Sequence, residues 1–197
     1  MRDPIIKKIV KTLLPSDFIA RHHLTSYNQF VSEDIKNTFE KMNPIYVKNG
    51  YDEQTKKYNY QSKIFVGGKD GSSYYFSTPT LHLPNKEPSQ LTPNKSRLNN
   101  VTYSCVLSAD ILVETTIEGQ NEIHREVLEK VELDSHFPIM IMSKLCNLRG
   151  ASPQELLFQG ECAYEKGGYF VIDGNEKVVV SVERPAYNIP TITKSSM

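Results

Sequence analysis

The sequence predicts an α+β domain: N-terminal helices packed on a largely antiparallel, hairpin-rich sheet. Three observations carry that prediction. Apolar residues recur at helical spacing as far as Asn43-Pro44, and beyond that point they recur at every second residue. Glycine-bearing turns then separate the alternating runs, and no strand–helix–strand alternation marks a doubly wound fold.

Taking the elements in order, Ile5, Ile6, Ile9, Val10, Leu13 and Leu14 face lysines across a short amphipathic helix predicted over residues 4–14. Pro15 ends it, and Ser16 or Asp17 can cap the next. That second helix carries a stripe of Leu24, Tyr27, Val31, Ile35, Thr38 or Phe39, and Met42. His22 and His23 occupy adjacent helical positions and are expected to face different ways, not to act as a pair.

The sheet region opens with Tyr58, Tyr60, Ile64 and Val66 in alternation and a turn at Gly67-Gly68-Lys69-Asp70-Gly71. Residues 79–96, with Pro79, Pro84, Pro88 and Pro93, read as an irregular connection. Val101, Tyr103, Cys105, Leu107, Ala109, Ile111 and Val113 then share one strand face. A turn at Glu118-Gly119-Gln120-Asn121 returns the chain into a strand expected to point Ile123, Val127, Val131 and Leu133 inward. The carboxylates of this hairpin (Glu114, Glu118, Glu122, Glu126, Glu129, Glu132) read as its solvated face rather than a cation site. A strand is expected at 137–142, and Ser152-Pro153-Gln154-Glu155 is a capping box with proline at the first helical position. Last, Gly168–Ile172, Asp173-Gly174 and Lys177–Val180 form a predicted hairpin. With no repeat and no dividing linker, the expected organisation is one domain over 1–197: helices at about 4–43, sheet at about 45–184, and a polar tail at 185–197.

Composition narrows the function. At 39% hydrophobic and 23% charged residues the chain is of globular type. Its apolar run Phe137–Met142 is far too short to span a bilayer, so no membrane partner is expected. Lysines at 7 and 8 break any signal-peptide core, which predicts an intracellular protein. Cys105, Cys146 and Cys162 form no CxxC pair, and His22, His23, His82, His124 and His136 lack ligand spacing, so neither a disulfide framework nor a metal is expected. The first 103 residues hold 15 Lys+Arg against 9 Asp+Glu and the remainder 8 against 14. Such asymmetry marks either a surface facing phosphates or two ordinary solvated surfaces. No GxSxG, GxxxxGK[ST] or HExxH motif occurs, and the glycines at 67, 68 and 71 read as a turn rather than a phosphate cradle, so no residue is assigned a catalytic role.

One window goes further. Gly167-Gly168-Tyr169-Phe170-Val171-Ile172-Asp173-Gly174-Asn175-Glu176-Lys177-Val178, followed by Val182-Glu183-Arg184, resembles the GGYFIINGxEKV stretch of the second-largest subunit of multisubunit DNA-directed RNA polymerases. Three further segments resemble that family in its own order: Leu24–Val31, Arg97–Ser104 and Phe137–Leu148. The sequence departs at Met142, where the family usually carries arginine, and at Asn99, which replaces a basic residue.

The resemblance implies the first part of the protrusion domain of that beta-like subunit, a component of a nucleotidyltransferase that lines one side of the DNA cleft in transcription. It implies partners in the largest subunit, the rest of the second-largest subunit, DNA, the RNA–DNA hybrid and initiation factors. It implies no cofactor held by this chain, the family's Mg²⁺ and Zn²⁺ sites lying elsewhere. It also implies a nuclear location, or a viral factory or virion for a large DNA virus. Arg97, Lys95 and Lys86 are candidate nucleic-acid or intersubunit contacts. Gly167, Gly168, Tyr169, Phe170, Gly174, Glu176, Lys177, Glu183 and Arg184 are motif residues of mainly structural role, Glu176 and Lys177 reading as fold-fixing ahead of substrate contact. The family's protrusion is completed by a later returning segment, so exposed apolar surface is expected here. The alternative reading is a truncated or split-gene fragment acting as a non-catalytic interaction protein.

Overall fold

The computed structural model describes residues 18–53, 57–81, 87–117, 123–190, 192 and 194. The helix expected at 4–14, the turn expected at 118–121 and Lys86 lie outside the described residues.

A helical rod comes first: α1 (Arg21–Gln29), a π-helical turn (Phe30–Asp34) and α2 (Ile35–Met42), 22 residues in all. It buries Tyr27, Val31 and Ile35. A step of four residues advances about 400° at 3.6 residues per turn, so a regular α-helix would let this stripe drift. The wider π turn between Val31 and Ile35 absorbs the drift, and the Ile35 N–H bonds the Phe30 carbonyl. The Tyr27 hydroxyl donates to the Pro138 carbonyl at 2.7 Å and Tyr74 donates to the Val31 carbonyl at 3.0 Å, pinning the rod to the sheet. Met42, expected on the stripe, is exposed. The rod ends beside it at Asn43, whose amide donates to the Val66 and Gly68 carbonyls and accepts the Val66 N–H at 2.9 Å.

The strands are β1 (Ile45–Asp52), β2 (Lys57–Val66), β3 (Tyr74–Phe76), β4 (Thr80–Leu81), β5 (Ser89–Gln90), β6 (Ser104–Ile117), β7 (Ile123–Pro138), β8 (Phe170–Ile172) and β9 (Asn175–Lys177). β6 is the axis of the main sheet: β7 lies on one edge, β2 and β3 share the other, and β1 flanks β2. β4–β5 and β8–β9 form separate pairs, and every described ladder is antiparallel, as the α+β reading requires. Tyr103, Ile139, Ile141, Leu148 and Val171 are fully buried where the inner end of β6 meets β8.

Four expectations need correction. Residues 79–96 are not wholly irregular: they hold β4, β5 and the start of α3 (Pro93–Asn99), which Thr92 caps by accepting the Lys95 N–H at 3.3 Å. Pro93 sits at the start of that helix, where a missing N–H costs nothing. On β7, Ile123, Val127 and Leu133 are exposed rather than inward, and Val131 is half-buried. The β6–β7 register shifts three times between Cys105 and Ile111, and Lys130 takes φ 49°; each slip of one residue exchanges the two faces. The strand expected at 137–142 stops at Pro138. Beyond it the Ile139 N–H bonds Tyr103 and the Ile141 N–H bonds Tyr169, so the segment bridges two neighbours instead of laddering with one. The last hairpin strand stops at Lys177, and Val178, Val179, Val180 and Val182 run on exposed.

α4 (Pro153–Phe158) opens on the expected capping box: Glu155 N–H to Ser152 Oγ at 3.3 Å, and Ser152 N–H to the Glu155 carboxylate at 2.6 Å. Cys105 and Cys146 are buried and Cys162 is exposed, all as free thiols. No described helix is long and apolar enough to cross a membrane.

Ser152→Ala removes one half of the capping box and is expected to cost about 1 kcal/mol in a urea melt. The backbone N–H and hydroxyl of Ser152 hold the Glu155 carboxyl below its ordinary value of 4.5. Its contribution is therefore present above that pH and lost as pH falls through the lower folded value, so the difference between wild type and Glu155→Gln should shrink in acid. Gly167→Ala should abolish folding, because a Cβ there would overlap the Ile141 carbonyl, whereas Gly150→Ala meets open space and is limited to the strain of φ 77°. Equal stability of the two glycine variants would overturn this account.

Candidate functional site

α3 and the β8–β9 hairpin bring most of the candidate residues into one cluster. Val101–Tyr103 flanks β8 on one side and Ile139–Ile141 on the other: Tyr103 N–H bonds the Val171 carbonyl and Ile141 N–H bonds the Tyr169 carbonyl, each at 2.9 Å. At the hairpin tip, Asp173 (φ 49°) and Gly174 (φ 75°) form the turn. Thr102 Oγ1 donates to Asp173 Oδ1 at 3.2 Å and accepts its N–H at 3.1 Å. A Cβ at Gly174 would lie 2.9 Å from the Asn100 Cα, so the tip approaches the end of α3 closer than any other residue allows.

Arg97, in the last turn of α3, sits at the centre. Its Nη1 donates to both Glu161 oxygens at 2.8 and 2.9 Å, its Nε to Glu176 at 2.9 Å, and its Nη2 to the Tyr169 hydroxyl at 2.9 Å. Tyr169 in turn donates to Glu165 at 3.1 Å, and Glu165 accepts the N–H groups of Lys166 and Gly167. The Glu161 side chain is 4% exposed, Arg97 22% and Glu176 57%, so the chain of charges runs from core to surface. Burial works against the guanidinium charge, but Glu161, Tyr169 and Glu176 outweigh it and raise the Arg97 pKa. Burial, then the Glu165 charge, raises that of Tyr169.

The other candidates lie apart from this cluster. Lys95 donates its ammonium to the Gln90 carbonyl at 2.9 Å. Phe170 packs edge-on to Tyr27 at 5.7 Å, and Gly168 is buried against Ala20. Lys177, Glu183 and Arg184 are exposed. Among the described residues no group of three or more His, Cys, Asp or Glu is arranged to hold a metal. The His22 and His23 rings lie with centroids 3.9 Å apart, so the expectation that adjacent positions keep them apart fails; the side chains turn toward each other.

Sequence reasoning missed the partners of the cluster and a second charged group. Glu161 and Glu165 gave no signal, since nothing local distinguishes a buried, paired carboxylate from a solvated one. Glu114, expected on the solvated face, is instead nearly buried between Lys69 at 2.8 Å and Arg125 at 3.2 Å. The Lys69 hydrogen bond, then its charge and that of Arg125, lower the Glu114 pKa against the opposing effect of burial.

Replacing Arg97 by Met strands Glu161 in the core, and the expected cost is about 3 kcal/mol in a denaturant melt. Arg97→Met combined with Glu161→Leu should recover part of it, because no unpaired charge remains. Arg97→Lys should recover little, since one ammonium cannot reach Glu161, Glu176 and Tyr169 in this fork geometry. Additive costs in the double variant would show the pair to be uncoupled.

With this geometry in place, the comparisons fall into one group. Residues 19–188 match the family model described as RNA polymerase beta subunit. The chain is 33% identical over 168 residues to the DNA-directed RNA polymerase subunit Rpo2N of Methanothermobacter thermautotrophicus, covering 85% of this chain and 28% of that one. It is 29% identical over 189 residues to the DNA-directed RNA polymerase II subunit RPB2 of Encephalitozoon cuniculi, covering 95% of this chain and 16% of that one. To the probable DNA-directed RNA polymerase II subunit RPB2 homolog of Invertebrate iridescent virus 6 the identity is 27% over 190 residues, with shares of 91% and 16%. The chain thus spans less than a third of the length of each of these three curated relatives.

Proposed function

Because this chain belongs to the RNA polymerase beta subunit family, we propose that it is the N-terminal part of the second-largest subunit of a DNA-directed RNA polymerase, where it forms one side of the DNA cleft and positions nucleic acid. The observation that supports this most is the convergence of two separate family-like segments. Arg97 comes from one and Tyr169 with Glu176 from the other, and they meet in a single hydrogen-bonded cluster. In this reading the cluster holds the β8–β9 hairpin against α3, and its role is architectural.

Positioning needs only fixed surfaces and charge. Phosphates are attracted by lysine and arginine without regard to base sequence, and they set the register of the nucleic acid. Lys95 and Lys86 are the proposed contacts to nucleic acid or to a neighbouring subunit. Arg97 is shared between that role and its three internal partners. The partners are the largest subunit, the remainder of the second-largest subunit, DNA with the RNA–DNA hybrid, and initiation factors, all inside the cell or a virus-built compartment. The whole enzyme's phosphoryl transfer uses two metal ions. This chain contributes no group to that chemistry in the proposed reading.

The purified chain with ribonucleoside triphosphates and Mg²⁺ should therefore give no ribonucleotide incorporation; measurable incorporation would refute the architectural role. In the assembled polymerase, Lys95→Ala and Lys86→Ala should each flatten the log–log salt dependence of nucleic-acid binding by about 0.7–0.9 if they meet phosphates. An unchanged slope would move them to subunit contacts or solvent.

A further inference from the structure

The geometry points to a second surface: the face of the β1–β2–β6–β7 sheet bearing Tyr46, Lys48, Lys63, Lys69 and Arg125 binds single-stranded nucleic acid. It gives the cleft-positioning reading a defined place and a ligand class, and rests on that reading only for the expectation that nucleic acid lies nearby.

The register builds this face. Tyr46 pairs Lys63, Lys63 pairs Glu114 and Glu114 pairs Arg125, making one cross-strand row. Two residues along, Lys48, Gln61, Thr116 and Ile123 make the next row, and rows two residues apart share a face. Lys69 reaches the same face from the turn after β2 through its bond to Glu114. These positions present four cationic side chains and one carboxylate, and that carboxylate is nearly buried between two of the cations. Lys69 and Arg125 remain 57% and 63% exposed.

An exposed aromatic ring lies among these charges. Tyr46 is 63% exposed. The Lys48 ammonium lies 5.5 Å from the centre of the Tyr58 ring, although the register pairs Tyr58 with Tyr51 on the opposite side of the β1–β2 ladder, so that ring borders this face rather than standing on it. Tyr46, Lys48, Tyr58, Gln61, Lys63 and Thr116 line a shallow concavity of about 330 Å³. Cations track a phosphate backbone, exposed tyrosines stack on unpaired bases, and amide and hydroxyl groups supply hydrogen bonds. A duplex hides its base faces and would leave the rings unused.

The test measures binding of the full 197-residue chain to unstructured oligonucleotides of about 10 residues, with RNA and DNA in separate arms and a duplex of the same sequence alongside. Wild type should prefer either single strand to the duplex. Lys48→Gln with Lys63→Gln should weaken binding about ten-fold or more near 0.1 M salt and lower the salt slope by about 1.4. Tyr46→Ala should cost about five-fold or more while Tyr46→Phe keeps the affinity, because stacking needs the ring and not the hydroxyl. All three positions tolerate change without refolding if the thermal melts stay superimposable, and that control accompanies each variant. Preference for the duplex, or equal binding by the lysine pair variant, overturns the proposal. Absence of single-strand binding while Lys95→Ala still flattens the polymerase's slope overturns this surface and leaves the cleft reading standing. Single-strand binding here with no effect of Lys95→Ala supports the surface and removes that lysine from the cleft.

Discussion

A carboxylate as deeply placed as Glu161 is tolerable only when a cation meets it, and in this domain the cation is Arg97. That requirement organises the surrounding chain. Arg97 must come from a helix whose last turn faces Glu161, so α3 has a fixed orientation. Once held there, its Nε and Nη2 are aimed at Glu176 and Tyr169, and both ends of the β8–β9 hairpin are tied to the same residue. The hairpin in turn supplies the carbonyls that Tyr103 and Ile141 need, and through them the fully buried core residues are set in place. Removing the charge on either side would loosen a chain of dependencies that reaches the centre of the fold.

The sequence was most legible where one local pattern decides one local structure. The helical stripe through Tyr27, Val31 and Ile35, the Ser152–Glu155 cap and the Asp173-Gly174 turn each contain their own reason within a few residues. The order of helices before antiparallel strands was legible for the same reason. Legibility failed where the answer depends on what lies opposite. Alternation on β7 marks two faces but does not say which one has a neighbour, and the bulges against β6 exchange the faces midway. Phe137–Met142 reads as a strand by composition, yet its amides serve two different segments. The prolines of 79–96 suggested a loop, although Thr92-Pro93 is itself a helix start.

The candidate cluster was half visible. Arg97, Tyr169 and Glu176 stood in segments with a family likeness, but nothing in the sequence joined them. Residues 64 and 72 positions away complete the hydrogen-bonding of Arg97. Glu114 illustrates the same limit: one of six carboxylates on a predicted hairpin, it differs from the described Glu126, Glu129 and Glu132 in that Lys69 and Arg125 converge on it. Charge pattern alone could not separate a paired group from a solvated one.

The distribution of the three cysteines has a practical consequence. Burial pushes the Cys105 thiol up to about 11 and raises that of Cys146, whose sulfur also accepts the Tyr103 hydroxyl at 3.7 Å. Thiolate is the reactive form, so both are chemically quiet at neutral pH. Cys162 alone is exposed, one residue after Glu161. The domain therefore carries a single native attachment point for a fluorophore or spin label, next to the ion pair on which its architecture turns. A probe there would report on opening of that pair without an engineered cysteine.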